Sequence, residues 1–125
     1  MAKIKGSTLV GKALKNERVK TVFTLSGELS EIYDACIDEG MQFIDMRHEQ
    51  AVANAATGYA MATGEPGVTM VTAGPGAINM SAGIAAAWYA CAPVVAICTS
   101  TPFCYTGKGA VQEFDSRDAY HPITK

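Results

Sequence analysis

One carboxylate in the chain occupies a position typical of a reaction centre. Glu49 lies where an apolar, strand-like segment, residues 42–46, gives way to an alanine-rich, helix-like segment, residues 51–62. The side chains on one face of that helix are small and apolar, mostly alanine, which is not typical of a solvated surface. In a parallel α/β sheet such a junction is the carboxyl end of a strand, where ligands bind. An ordinary first-turn acid, favoured by the helix dipole, is the alternative interpretation.

A glycine-rich turn, Gly74-Pro75-Gly76, is the second candidate because it follows an apolar segment and opens another helix-like one. A helix N-terminus of this kind can hold an anion. However, Asn79 stands where the dinucleotide fingerprint requires a third glycine, and Pro75 lacks a backbone donor. The sequence also contains no Gly-Lys-Ser/Thr run. A tight turn with close helix packing is therefore favoured over a phosphate site.

The other polar residues give weaker signals for catalysis. His48 directly precedes Glu49, and adjacent helical residues do not face each other, so an acid–base pair is disfavoured. The serines lack the Gly-x-Ser-x-Gly elbow of hydrolases. The four cysteines form no Cys-x-x-Cys pair, which disfavours zinc and indicates reduced thiols in apolar surroundings. By residue type alone, Gln112 and Glu113 are interpreted as part of a solvated loop.

Composition restricts the class of protein. The 125 residues suffice for one domain with one core, which we assign to residues 1–125. The net charge of −2 and the pI of about 5.6 argue against nucleic acid or an anionic membrane as a partner. A mean hydropathy of +0.12 is high and predicts apolar surface that a partner covers. No secretory signal or uninterrupted membrane span is recognised, so we expect a cytoplasmic protein.

Apolar periodicity and turn residues predict alternating helices and strands with short connections. Helices are predicted at 7–16, from 28 to the Gly40 turn, from Glu49 to the turn at 64–67, and at 77–90; strands are predicted at 21–25, 42–46, 68–73 and 93–99. The stripes of the first two helices include Leu9 and Ile37. This alternation is typical of a doubly wound α/β fold, with a mainly parallel sheet and helices on both faces. A further strand and helix would normally follow Pro122, so we expect a domain truncated at its C-terminus.

Several short motifs, taken in order along the chain, resemble one family. They are Val22-Phe23, Ser26-Gly27, Arg47-His48-Glu49-Gln50, Gly58-Tyr59-Ala60, Pro66-Gly67-Val68, Thr72-Ala73-Gly74-Pro75-Gly76-x-x-Asn79 and Gln112-Glu113. Each is weak alone, but in this order they strongly resemble the N-terminal pyrimidine-binding domain of thiamine-diphosphate enzymes of the acetolactate synthase group. Relatives in that group include oxalyl-CoA decarboxylase and 2-hydroxyacyl-CoA lyase. The resemblance extends over nearly the whole chain.

The resemblance implies a role for Glu49. The matching glutamate of the family hydrogen-bonds N1′ of the cofactor's aminopyrimidine, which favours removal of the proton from thiazolium C2. That chemistry needs a carboxyl group that is kept from water and can exchange a proton. The resemblance also places Gln112 beside the substrate carbonyl. The other cofactor-binding residues that it implies are Gly27, Thr72, Gly74 and Asn79.

Departures from the family pattern concern the substrate side and the metal. Glu28 is acidic where many relatives carry a small or apolar residue, and Val111 replaces an aromatic residue that often precedes the matching glutamine. Both are expected on the substrate side, together with Gln112. The Gly-Asp-Gly…Asn motif, which in the family binds Mg²⁺ and the diphosphate in a different domain, is missing from the sequence. No metal ligand is therefore assigned in this chain, and Mg²⁺ is expected to be held by a diphosphate-binding domain, located downstream or on another chain.

The sequence leaves three possible functions. The first is the pyrimidine-binding module of a thiamine-diphosphate transferase or lyase that makes or breaks a C–C bond next to a carbonyl. Its substrate would be a 2-keto acid or an acyl-CoA-type compound, the chain alone would be inactive, and the small-sided helix faces would meet a second copy in a homo-oligomer. The second is a non-catalytic assembly or regulatory module, against which Glu49 and Gln112 argue. The third is a flavodoxin-like nucleotide binder, which the incomplete glycine motif weakens.

Overall fold

The computed structural model describes residues 3–27 and 30–125. The strands are β1 Thr21–Thr24, β2 Gln42–Asp45, β3 Gly67–Val71 and β4 Val94–Cys98. The α-helices are α1 Gly6–Asn16, α2 Ser30–Asp38, α3 Glu49–Thr63, α4 Pro75–Tyr89 and the short α5 Arg117–Tyr120. Single 3₁₀ turns lie at Phe103–Tyr105 and His121–Ile123. The predicted helices and strands are thus observed, with ends that differ by one or two residues; the predicted start of the second helix, at residue 28, lies outside the described residues.

The four strands form one parallel sheet in the order β2-β1-β3-β4. Every residue of β3 is buried, as expected for a central parallel strand covered on both faces. The predicted parallel α/β fold is therefore confirmed. From β1 the chain adds β2 on one side and then β3 and β4 on the other, so the winding reverses between β1 and β3. Ligands of open α/β sheets bind at the carboxyl ends of the strands beside such a reversal.

Helices cover both faces of the sheet, and two apolar clusters hold them there. One cluster packs α1 and α2 against the sheet, and its buried residues are Val22, Cys36, Met41, Val68 and Met70. The other packs α3 and α4 against the opposite face, and its buried residues are Phe23, Val52, Ala53, Ala56, Val71, Met80 and Ile84. The period-two alternation of β1 explains the division, since Val22 and Phe23 point to opposite faces.

The helices α3 and α4 approach each other closely through small residues. A Cβ placed on Gly83 of α4 would lie 2.6 Å from the Ala53 Cβ and 2.9 Å from the carbonyl oxygen of Gln50, both in α3. The small-sided helix faces that we expected to meet a second copy therefore meet each other within the chain. Whether the protein forms a homo-oligomer stays a prediction.

Three expectations about exposure are wrong. Leu9 and Ile37 belong to the predicted apolar stripes, yet they are 52% and 55% exposed because neither lies on the side that the adjacent helix and the sheet cover. Cys91 and Cys104 are exposed as well, so only Cys36 is fully surrounded by apolar groups, and Cys98 is intermediate. The thiols are free.

In the described ranges, no helix combines the length and the apolar character needed to cross a membrane.

Candidate functional site

Glu49 is the first residue of α3, directly after the carboxyl end of β2. His48 has extended backbone geometry and acts as the N-cap, since its Nδ1 accepts a hydrogen bond from the Gln50 N–H at 3.1 Å. This cap satisfies one of the free donors of the first turn. The Glu49 side chain turns inward and is only 7% exposed. His48 thus caps the helix, as its sequence position beside Glu49 allows, and the carboxylate has a different partner.

Asn79, on the second turn of α4, is that partner. Its Nδ2 donates to Glu49 Oε2 at 3.0 Å. Among the described residues, no donor is bonded to the other carboxylate oxygen, Oε1. A solvated first-turn acid would leave both oxygens to water, whereas here one oxygen is fixed by protein and the other can accept from a ligand.

The first turn of α4 passes directly beside this carboxylate. A Cβ on Gly76 would lie 2.7 Å from Thr72 Cγ2 and 3.3 Å from Glu49 Oε1. Any larger residue at position 76 would therefore push against Thr72 and the free oxygen. Gly76 was absent from the predicted site residues, although its signal, the second glycine of a Gly-Pro-Gly turn after a buried strand, was in the sequence.

Gln112 packs on the turn at Gly74, which directly precedes α4. A Cβ on Gly74, whose φ is +58°, would overlap the carbonyl oxygen of Gln112. The Thr72 hydroxyl donates to Gln112 Oε1 at 2.8 Å. An anion at the Gly74 turn would meet this carbonyl oxygen, so the turn serves close packing, as the sequence favoured, and not phosphate binding.

Six predicted site residues form one continuous group at the carboxyl edge of the sheet. Gly27, after β1, completes it, since a Cβ there would lie 3.6 Å from the Thr72 Cβ. The six are Gly27, Glu49, Thr72, Gly74, Asn79 and Gln112. Val111 neighbours the group in sequence, but its side chain is 80% exposed. Glu28 lies outside the described residues.

Two carboxylates that support the site were missed by sequence reasoning. Asp45, at the end of β2, accepts the Ser26 N–H at 2.9 Å and an Arg47 guanidinium nitrogen at 3.1 Å, which ties the turn after β1 to the end of β2. Glu113 is not the solvated loop residue that its type suggested. Its carboxylate accepts backbone N–H groups of its own loop, and these donors hold the pKa of the carboxyl below its usual range.

Metal-ligating side chains do not gather at this site. Across residues 3–27 and 30–125, no cluster of three or more His, Cys, Asp or Glu side chains is placed to hold a metal ion. The polar groups of the site are one carboxylate, two amides and one hydroxyl, from Glu49, Asn79, Gln112 and Thr72. Such a set suits hydrogen bonding to a neutral or cationic heterocycle and proton exchange with it.

Comparison with known proteins places the chain in a family. Residues 4–119 match the model of the N-terminal TPP binding domain of thiamine pyrophosphate enzymes, TPP being thiamine diphosphate. The chain therefore belongs to this family, and the resemblance inferred from the motifs is confirmed.

Curated relatives agree with this assignment. The chain is 43% identical over 123 residues to the probable acetolactate synthase large subunit of Methanocaldococcus jannaschii, covering 98% of the chain and 21% of that protein. It is 42% identical over 118 residues to the acetolactate synthase large subunit of Mycobacterium tuberculosis, covering 94% and 22%. It is 36% identical over 121 residues to 2-hydroxyacyl-CoA lyase 2 of Danio rerio, covering 96% and 20%. The chain thus spans about a fifth of the length of these relatives.

Proposed function

We propose that the chain supplies the pyrimidine-binding part of a thiamine-diphosphate site in an acetolactate synthase-like enzyme. That enzyme would make or break a C–C bond next to the carbonyl of a 2-keto acid or an acyl-CoA-type substrate. The observation that carries the proposal is the state of Glu49, a buried carboxylate at the carboxyl edge of the sheet with Oε2 fixed by Asn79 and Oε1 able to accept from a ligand.

The residues at the site fit an aminopyrimidine ring. Such a ring is flat and carries nitrogen donors and acceptors at its edge, so it needs a carboxylate in its plane and small residues around it. Glu49 would provide the first, and Gly27 and Gly76, which lie next to Thr72, would provide the second. Following the family resemblance, we assign the diphosphate and its Mg²⁺ to a separate domain, downstream or on another chain.

The chain's own residues would act on a proton and on a carbonyl. Thiamine diphosphate, when bound, supplies the carbon nucleophile and the electron sink for the reaction. Glu49 Oε1 would hold or release a proton at N1′ of the pyrimidine, while Asn79 keeps the carboxylate in one orientation. Gln112 Oε1 is already engaged by Thr72, which leaves the Gln112 amide N–H groups to donate toward a substrate carbonyl.

The decisive experiment replaces Glu49 by Gln in the assembled enzyme. Glu49→Gln keeps the shape and an acceptor oxygen but cannot exchange a proton with N1′. Hydrogen–deuterium exchange at C2 of the bound cofactor should slow by about 10²–10⁴-fold, the usual worth of a general acid–base step. Cofactor affinity should fall far less, because the diphosphate contacts are untouched. Glu17→Gln is the matched control, since Glu17 is exposed at the end of α1, away from the carboxyl edge of the sheet.

A second variant separates the two sides of the site. Gln112→Ala should leave C2 exchange nearly normal while turnover or product choice is impaired, because the amide acts on the substrate and not on the pyrimidine. Normal C2 exchange in Glu49→Gln would remove the proton-exchange role and leave Glu49 as an ordinary first-turn acid.

A further inference from the structure

The segment that carries Gln112 has an unusual backbone. Residues 107–113 contain neither helix nor strand, and three of them have left-handed φ angles: +77° at Gly107, +69° at Gly109 and +58° at Gln112. Glycine adopts such angles freely, but a glutamine does so only when its surroundings hold it there. The conformation of Gln112 therefore needs a specific support.

Glu113 provides that support through its carboxylate. Its Oε1 accepts the Gly107 N–H, and its Oε2 accepts the N–H groups of Gly109 at 2.9 Å and Ala110 at 3.1 Å. The Glu113 N–H in turn donates to the Ala110 carbonyl at 3.1 Å. One side chain thus closes the loop 107–113 on itself with charge-assisted hydrogen bonds, which are stronger than neutral ones.

The closed loop sets the position of the neighbouring residue. The Gln112 carbonyl packs on Gly74 so closely that a Cβ there would overlap it, and the Gln112 side chain accepts from Thr72 at 2.8 Å. Thr72 can orient the end of the side chain, but it cannot fix the backbone from which the side chain starts. The loop does this, and among its described side chains it is Glu113 that bridges its two ends.

We propose that Glu113 is a positioning residue for Gln112, whose amide it presents to the substrate by holding the loop 107–113 closed. The inference rests on the proposed function, because Gln112 acts on substrate only in that case. Glu113 itself would touch neither substrate nor cofactor. Removing the Glu113 carboxylate should therefore impair the step in which Gln112 acts on the substrate. It should leave unchanged the C2 exchange that depends on Glu49.

The first test uses kinetics of the assembled enzyme. Glu113→Gln keeps one acceptor oxygen but places an amide donor against backbone donors, so the loop should open. A misplacement on the order of 1 Å can cost up to about 10²-fold in rate, and we expect a turnover loss of roughly 10–10²-fold with C2 exchange unchanged. Asp115→Asn is the matched control, since Asp115 bears the same charge two residues away but is bound by Arg117. It should leave turnover unchanged.

A double-mutant cycle distinguishes positioning from general damage. If Glu113 acts through Gln112, the variant Gln112→Ala/Glu113→Gln should be about as slow as Gln112→Ala alone. Additive losses would overturn the proposal, as would a fall of C2 exchange parallel to turnover in Glu113→Gln, since that would report damage to the whole site.

The second test needs no cofactor and can be made on the chain itself. In Glu113→Gln the backbone amides of Gly107, Gly109 and Ala110 should exchange with deuterium faster than in the wild type, and in Asp115→Asn they should not. Unchanged protection in Glu113→Gln would overturn the positioning role alone. A wild-type enzyme without C2 exchange would instead overturn the proposed function, and with it the catalytic meaning of Glu113, even where these amides respond as expected.

Discussion

A methyl group added at Gly83 should separate α3 from α4, the two helices that carry Glu49 and Asn79. In Gly83→Ala the new Cβ would lie 2.6 Å from the Ala53 Cβ and 2.9 Å from the Gln50 carbonyl oxygen. Carbon atoms in contact prefer about 3.5–4.0 Å, so the helices must move apart by roughly 1 Å. Neither obstacle is the end of a flexible side chain, and no rotamer change can relieve the overlap.

The size of the effect follows from two opposing contributions. Overpacking of this kind costs about 1–3 kcal/mol, while replacing Gly by Ala inside a helix contributes about 0.8–1.0 kcal/mol in favour of folding. Gly83→Ala should therefore reduce the free energy of unfolding by up to about 2 kcal/mol. Gly58 is the matched control, because it is exposed, lies in the middle of α3 and has nothing within 4 Å of its added Cβ. Gly58→Ala should be stabilising by about 0.5–1 kcal/mol, through propensity alone.

Urea and thermal unfolding of the two variants measure the difference. For a domain of this size, 1 kcal/mol corresponds to roughly 3–5 °C in Tm, so the Tm should fall in Gly83→Ala and rise in Gly58→Ala. The same separation of the helices should lengthen the contact between Asn79 and Glu49. A Gly83→Ala protein as stable as Gly58→Ala would show that the two helices have slack, and the reasoning about their close packing would be refuted.

Three further predictions concern titration, cofactor affinity and assembly. Arg117 lowers the pKa of Asp115 from 3.8 to about 2, so the stabilisation from this pair is present above pH 3.8 and is lost as the pH falls to about 2. Carboxyl-carbon NMR should show that the midpoint of the Asp115 titration moves up in Arg117→Gln. An unmoved midpoint would exclude the ion pair as the cause of the low pKa. Calorimetry on the chain alone should detect weak or no binding of thiamine diphosphate with Mg²⁺, whereas submicromolar affinity would reveal a diphosphate site within these residues. Light scattering at micromolar concentration should show at least a dimer, and a stable monomer would contradict this expectation.

The sheet and its helices were predictable because their signals are local. Val68 to Val71 and Val94 to Cys98 are largely apolar runs, which helix-covered parallel strands require, although β4 at the sheet edge is only partly buried; the alanine-rich run after Glu49 is likewise typical of a covered helix. Glu49 could be singled out for the same reason, since a strand-to-helix junction is visible in the sequence. The apolar periodicity of a helix, by contrast, does not show how much of its apolar stripe the adjacent helix and the sheet cover. Leu9 and Ile37 have the right spacing and yet face solvent.

The support for Gln112 could not be predicted from residue types. Nothing in Gln112-Glu113 distinguishes a solvated pair from one that organises a loop, because the left-handed φ at Gln112 and the packing of its carbonyl on Gly74, 38 positions earlier in the chain, exist only in the folded structure. The donors of the Glu113 carboxylate are backbone N–H groups, which every non-proline residue carries. A sequence therefore gives at most the glycines at 107 and 109 as a sign of an unusual turn.

The location of the site follows from the order of the strands. Because the winding reverses between β1 and β3, no crossover helix fills the space above their carboxyl ends. The connection after β1 leads toward β2 and the connection after β3 leads toward β4, in opposite directions. Gly27 and Thr72 are the residues that these two connections place side by side. Glu49 reaches the same space from β2 only because Gly76 has no side chain to block its carboxylate, and Asn79 then fixes it from α4. The glycines after β3 thus allow a carboxylate to be buried at the reversal, and a side chain at position 76 should press on Thr72 and displace the Glu49 carboxylate.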